Sequence, residues 1–213
     1  NVRFEKTGND LLALLKEHLE MRKHKPKFNK KSNKPRYSHG IFKGSDDNGY
    51  LTYHIASTRK NGDYLTSFSN GKAARSFMEK MQEEYQLCGI LSGLEKASDG
   101  PCSRYETGHC HGACINKEPV EQYNERAIEI YNQHNFKIDR RILVDRGREH
   151  TERSVILIED GIVKGYGFVD LQIQFTDPKI LKNIITEIPE DRNTRHIVQS
   201  YLRQRKVYRV IDL

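Results

Sequence analysis

Ser154-Val155-Ile156-Leu157-Ile158-Glu159-Asp160-Gly161-Ile162-Val163-Lys164-Gly165-Tyr166-Gly167-Phe168 sets two runs rich in β-branched and aromatic residues on either side of an Asp-Gly pair. Asp160 and Gly161 suit the two positive-φ positions of a type I′ turn, so the stretch predicts an antiparallel hairpin. Upstream, Arg141-Ile142-Leu143-Val144-Asp145 reads as a further strand, followed by the basic turn Arg146-Gly147-Arg148. Downstream, helices are expected near 178–186 and 194–205, with a final strand at 207–211. Together these make residues 136–213 an α+β module.

The chain N-terminal to this module reads in three pieces. Residues 1–36 open with a strand-like fragment ending near Glu5 and a turn at Thr7-Gly8. A helix from about Asn9 to Lys23 follows, Thr7 and Asp10 having capping-box spacing and Pro26 ending the pattern. Residues 37–87 alternate as half-buried strands at 50–55 and 64–68. These are joined through Asn61-Gly62-Asp63 as a small hairpin and followed by a helix from Lys72 to Leu87. Residues 88–135 hold a Gly-, Pro- and Cys-rich loop and a helix from about Glu118 to His134. No internal repeat is visible.

Composition narrows the function classes. Of 213 residues, 36% are hydrophobic and 31% charged, which predicts a thin apolar core and a heavily solvated surface. No stretch approaches the roughly 18 consecutive apolar residues of a spanning helix, and no apolar run follows a basic start as in a signal peptide. A soluble, cytoplasmic chain without a membrane partner is expected. Because it starts at Asn1 in a strand-like fragment, a cut piece of a longer chain is expected as well. The net charge of +7 is concentrated at one end. Residues 1–43 carry 12 Lys/Arg against 4 Asp/Glu, and the remainder is near neutral. Such a local excess points to a polyanion, nucleic acid first.

Two constellations carry chemistry. Cys88, Cys102, Cys110 and Cys114 are spaced C-x13-C-x7-C-x3-C within one loop-rich stretch. Soft thiolates so clustered, in a chain without a secretion signal, suit Zn2+ or an iron–sulfur cluster better than disulfides. The spacing is an imperfect zinc signature, and His109 and His111 stand beside Cys110 as substitute zinc ligands. The second is the run from Arg22 to Tyr37, with Arg22, Lys23, Lys25, Lys27, Lys30, Lys31, Lys34 and Arg36, no acid, and Phe28 and Tyr37 among the cations. Cations that neutralise phosphates and aromatics that stack on bases make this a nucleic-acid contact, preferred over a plain solvated linker. Glu17 lies beside Ala13, Leu14 and Met21 at helical spacing, but one carboxylate makes no metal site. Arg146 and Arg148, with Arg192, Arg195, Arg203, Arg205 and Lys206, offer a second phosphate surface, but a helix with its salt bridges is the preferred reading.

Three stretches in this order resemble the UvrC family of bacterial repair endonucleases. The likeness is closer to UvrC-like nucleases of the GIY-YIG superfamily fused in some bacteria behind an exonuclease domain of the DNA polymerase III epsilon type. Phe4-Glu5-Lys6-Thr7-Gly8, Ala13-Leu14-Leu15-Lys16-Glu17 and Lys25-Pro26-Lys27-Phe28-Asn29 are similar to the last strand, metal-ligand helix and closing segment of a GIY-YIG domain. The resemblance puts Glu17 in the place of the divalent-metal ligand, for Mg2+ or Mn2+ in a full-length parent, and Asn29 in that of a recurrent Asn. Residues 37–87, with Ala74-Arg75, resemble the region behind that domain. Pro101-Cys102-Ser103-Arg104-Tyr105, Gly112-Ala113-Cys114 and Tyr123-Asn124 resemble the UvrC cysteine region, for which a [4Fe–4S] cluster is the implied cofactor and Zn2+ the alternative.

The Gly-Ile-Tyr and Tyr-Ile-Gly strands that name the superfamily are absent, and Gly40-Ile41-Phe42 follows the Glu17 helix and cannot replace them. Asp145, Asp160 and Asp170 do not match the motif of a second, RNase H-like centre. The expected fold class is therefore α+β: a truncated GIY-YIG element, a small β-hairpin plus helix, a cysteine-rich metal-binding region and a C-terminal α+β module. The expected function is the DNA-binding C-terminal portion of a UvrC-like endonuclease of nucleotide excision repair. It should be inactive alone, and partnered by DNA and repair-complex proteins. The alternative is a non-catalytic, metal-stapled nucleic-acid or protein binding module.

Overall fold

The computed structural model describes residues 2, 4–28, 37–59, 64–97, 100–135, 140–171, 183–204 and 207–213. They form an α+β chain with two antiparallel sheets and, among the described residues, five α-helices. The chain divides into two compact units, 37–135 on the one hand and 1–36 with 136–213 on the other. No described helix is long and apolar enough to cross a membrane.

In the 37–135 unit, β1 (His39–Ser45), β2 (Leu51–Ser57) and β3 (Thr66–Phe68) form a sheet of order β2-β1-β3, followed by helix α2 (Gly71–Glu84). The expected pairing of residues 50–55 with 64–68 is corrected: β1 lies between them and pairs with both, Ile41 facing Ile55 on one side and Thr66 on the other. The hairpin that does form is β1–β2. Its turn is closed by the Asp46 carboxylate, which accepts from the backbone N–H of Asn48 (3.1 Å) and Tyr50 (2.8 Å). The Asn61-Gly62-Asp63 turn lies outside the described residues. Asn70 caps α2 by accepting from Ala73 N–H at 2.8 Å, and α2 buries Ala74, Met78 and Met81. A short helix α3 (Ser103–Glu106), a 3-10 turn at Ala113–Ile115 and helix α4 (Val120–His134) complete the unit. One core joins Ile41, Tyr53, Met78, Leu87, Tyr123 and Ile130 to Cys88, Cys102 and Cys110.

The other unit is built on a five-stranded sheet of order β7-β6-β5-β4-β8: β4 (Arg141–Arg146), β5 (Glu152–Glu159), β6 (Ile162–Asp170), β7 (Thr186–Glu187) and β8 (Arg209–Asp212). The β5–β6 hairpin turns at Asp160 and Gly161, with φ of 53° and 73°, and a bulge at Leu157/Ile158 shifts its register. One face of the sheet, through Leu143, Ile156, Ile158 and Val163, packs on helices α1 (Asp10–His24) and α5 (Arg192–Arg203). The opposite face gathers Ile142, Val144, Val155, Leu157 and Val169. Of the helix expected at 178–186, residues 178–182 lie outside the described set, and Thr186–Glu187 is strand β7.

Helix α1 thus packs as part of the C-terminal α+β module. It drives Leu11, Leu12 and Leu15 into the sheet and leaves Ala13, Leu14 and Glu17 on its exposed side. The apolar stripe expected beside Glu17 is corrected accordingly, because the buried stripe runs through Leu11, Leu15 and His18 instead. Its N-cap is Asn9, whose side-chain Oδ1 accepts from Leu12 N–H at 2.9 Å, in place of the Thr7–Asp10 capping box. The expected opening strand is not formed at the described residues 2 and 4–6, where Val2 and Phe4 project into solvent without a neighbouring strand.

Candidate metal centre

The four cysteines converge from separate local structures. Cys88 follows the end of α2, and its turn is held by buried polar contacts: Gln82 Nε2 donates to Ser92 Oγ (3.0 Å), Ser92 Oγ to Gly89 O (3.1 Å), and Ser92 N–H to Cys88 O (3.0 Å). The segment beyond it lies on β2, with Tyr53 N–H donating to Leu91 O at 2.8 Å. Gly93, at φ +71°, passes so close that a Cβ there would stand 2.4 Å from Tyr53 O, so only glycine fits. Cys102 is the N-cap of α3, and the Glu95 carboxylate accepts from the N–H and hydroxyl of the next residue, Ser103, at 2.9 and 3.0 Å. Arg104 O, accepting from Cys110 N–H at 3.0 Å, folds the following loop back so that Cys110 faces Cys102.

All four sulfurs lie within 4.8 Å of one another, and Cys88 Sγ is 3.9 Å from Cys102 Sγ. Cys88, Cys102 and Cys110 are buried and Cys114 is half-buried. Backbone N–H groups already point at the sulfurs, Cys102 N–H at Cys114 Sγ and Gly112 N–H at Cys110 Sγ, both at 3.4 Å. The Cys110 thiol is pulled down to about 5, first by the hydrogen bond from Cys88 and then by the N–H groups of Gly112 and Ala113. Cys88, which supplies that proton from a buried position, is pushed up. Burial also raises Cys114. Three buried thiols and a half-buried one, all within 4.8 Å of one another, offer the donor set of a metal cage more than that of a nucleophile site.

The donor set fits both groups expected for it, four soft sulfurs in an apolar surround. Zn–S bonds of about 2.3 Å arranged tetrahedrally place the sulfurs about 3.8 Å apart, close to the 3.9 Å between Cys88 Sγ and Cys102 Sγ. A cubane cluster stands its irons between the thiolates and requires the cysteine side chains to spread. Among the described residues this is the one group of three or more His, Cys, Asp or Glu able to hold a metal. His109 and His111 stay outside it. His109 Nδ1 is 3.1 Å from Thr107 Oγ1, and His111 faces the buried Glu118 at 3.4 Å.

Glu118 was not legible as part of the site. Its carboxylate meets Arg126 at 2.6 Å, and its carbonyl accepts from Tyr50 Oη at 2.5 Å, which ties the loop carrying Cys110 and Cys114 to the sheet. Tyr123 is a core residue edge-on to Tyr50. Asn124 clamps the β1–β2 hairpin, accepting from Leu51 N–H (2.7 Å) and donating to Gly49 O (2.9 Å).

Glu17 and the described cations of the basic run belong to the 1–36/136–213 unit. Glu17 is exposed on α1, and Asn29, Lys30, Lys31, Lys34 and Arg36 lie outside the described residues. Arg22 pairs with Asp191 at 3.2 Å, and Lys23, Lys25 and Lys27 are exposed at and beyond the C-terminus of α1. Phe28 is fully exposed, as a stacking residue requires. Tyr37 is not: it is buried against Tyr64 in the 37–135 unit. Asp145 is buried and accepts from Tyr201 Oη at 2.9 Å, while Asp160 sits in the β5–β6 turn at the opposite end of the sheet.

Fold and site define the 37–135 unit as a small α+β domain organised by four converging cysteines. Residues 41–133 match the UvrC/Cho excinuclease, middle domain. Over 126 residues, 59% of this chain and 21% of the relative, the chain is 27% identical to UvrABC system protein C of Shewanella denitrificans. Over 120 residues, 56% and 20% of the two chains, it is 26% identical to the Idiomarina loihiensis protein of the same name. For the Yersinia pseudotuberculosis protein the match is 24% over 123 residues, 58% and 20%. The chain spans about a fifth of the length of these relatives. No solved structure matches it. The chain is UvrC-like in this segment.

Proposed function

We propose that the chain is the DNA-binding C-terminal portion of a UvrC-like endonuclease of bacterial nucleotide excision repair, cytoplasmic and partnered by DNA and repair-complex proteins. One observation carries the reading: Cys88, Cys102, Cys110 and Cys114 converge inside the segment that matches the UvrC/Cho middle domain. Cys88, Cys102, Cys110 and Cys114 hold a [4Fe–4S] cluster on the resemblance. When bound, that group supplies a rigid tetrathiolate centre that closes the loops from 88 to 114 onto α2 and α4. Arg22, Lys23, Lys25, Lys27, Lys30, Lys31, Lys34 and Arg36 neutralise backbone phosphates.

Phosphodiester hydrolysis belongs to the full-length parent, a GIY-YIG-type nuclease fused behind an exonuclease domain, where Glu17 would hold Mg2+ or Mn2+ and Asn29 would close the domain. A single exposed carboxylate is not a divalent-cation site, so no hydrolytic step is assigned to this chain. The test is DNA binding and nicking by the purified chain with Mg2+. Steeply salt-dependent binding without cleavage is expected, with cleavage appearing only when the upstream strands are restored and vanishing in Glu17→Ala. A nick by the 213-residue chain itself, lost in Glu17→Ala, overturns the assignment. The close sulfur spacing supports a second reading, a single Zn2+ in a non-catalytic, metal-stapled module that binds nucleic acid or protein.

A further inference from the structure

The 1–36/136–213 unit carries a second concentration of cations, away from the Arg22–Arg36 run. At the β4–β5 end of its sheet an open cleft of about 700 Å3 is lined by Gly8, Arg146, Arg148, His150, Arg153 and Tyr208 among others. Its floor is built to one shape. Gly8 lies flat on the turn, where a Cβ would stand 2.0 Å from Gly147 O, and Asn9 Nδ2 donates to Arg146 O (2.7 Å) and Ser154 Oγ (2.8 Å). The Glu152 carboxylate accepts from both the backbone N–H and the Nε of Arg148, each at 2.9 Å. The turn is therefore pinned from both sides.

Charge and aromatic surface in the cleft are left over after these contacts. Glu152 neutralises Arg148, and Glu149 pairs with Lys6 at 2.8 Å. The Arg146 guanidinium has no carboxylate partner among the described residues. Arg153 spends one N–H on Glu152 O and lies 5.0 Å over the Tyr208 ring, which is itself 70% exposed. Two uncompensated guanidinium groups beside an exposed ring and a histidine are suited to a phosphate and the unstacked base attached to it. A free phosphate would use the cations alone and leave the ring idle.

We propose that this cleft is a second nucleic-acid site, in which Arg146 and Arg153 hold a backbone phosphate of a single-stranded segment and Tyr208 stacks on the neighbouring base. The inference rests on the DNA-binding reading above and extends it to a surface built by the C-terminal module. The ligand is single-stranded because a duplex keeps its bases stacked out of reach of the ring.

The test is binding of the full chain to a labelled oligothymidylate and to an abasic strand of equal length, across salt concentration. Tyr208→Ala is expected to weaken oligothymidylate binding about fivefold or more and to erase the preference over the abasic strand, whereas Tyr208→Phe retains both. Arg146→Gln with Arg153→Gln is expected to flatten the log K against log salt slope by about one to two. Tyr208 and Arg146 are exposed and Arg153 is half-buried, and amide exchange in β4–β6 checks that each variant keeps the fold. Unchanged affinity and slope in all of them, while neutralising Lys23, Lys25 and Lys27 abolishes binding, overturns the cleft and leaves the DNA reading standing. No binding of either strand by the unaltered chain overturns both.

Discussion

Leu15→Ala separates an α1 that belongs to the C-terminal module from one that is a remnant of another domain. Leu15 is fully buried, packed with Leu11 and Leu12 in a core that includes Leu143, Ile156, Ile197 and Val198. Truncating a leucine at such a site removes its transfer free energy and leaves a cavity, about 2–5 kcal/mol together. Its neighbour Leu14 is 38% exposed, so Leu14→Ala should stay within about 0.5 kcal/mol. Two units preclude a single two-state unfolding curve, and amide hydrogen exchange reads each one separately. At 2 kcal/mol, the lower bound, exchange of the β4, β5 and β6 amides should quicken about thirtyfold in Leu15→Ala, while β1 and β2 amides keep their rates. Leu14→Ala should change neither set. Unchanged exchange in β4–β6 for Leu15→Ala would refute the docking of α1 on this sheet.

Gly93→Ala forces a Cβ into Tyr53 O at a positive φ, so it should displace the segment behind Cys88 and lower the metal-to-protein ratio after purification by at least half. Tyr201→Phe deprives the buried Asp145 carboxylate of its hydroxyl donor and should cost the sheet unit about 1–3 kcal/mol by the same exchange measurement. Arg148 holds the Glu152 carboxyl below its ordinary value of 4.5. A carboxylate depressed on folding adds stability above its unfolded pKa, and that stability is lost as pH falls through the folded value. Protection of the β5 amides, taken relative to their intrinsic exchange rate at each pH, should therefore fall below about pH 4.5, and less so in Glu152→Gln.

The β5–β6 hairpin could be read directly because Asp160-Gly161 admits few backbone geometries and both flanks are strand-prone. The cysteine group was legible for a different reason: thiols cluster in sequence when one ligand organises a loop. β1 was missed because His39–Ser45 carries two glycines and a lysine and shows no clean alternation, although it is the central strand of its sheet. Its partners are set by the Asp46 turn, a local signal, and by the core, a non-local one. The placement of α1 was hidden for the same kind of reason. Leu11 to Leu15 are apolar without a break, so the run does not show which leucines face inward, and the sheet that selects Leu11, Leu12 and Leu15 lies more than a hundred residues away. Glu118 gave no signal at all, since a buried glutamate paired with Arg126 looks in sequence like any surface acid.

The most direct measurement is metal and acid-labile sulfide content, with the visible spectrum, of the chain purified without oxygen. A brown protein with about four iron and four sulfide per chain, both lost in Cys88→Ser, is the predicted result. One zinc per chain without colour would keep the four-cysteine cage but replace the cluster by a structural ion. A protein that binds neither metal nor cluster, and is unaltered by Cys88→Ser, would contradict the claim that the four cysteines form a metal centre.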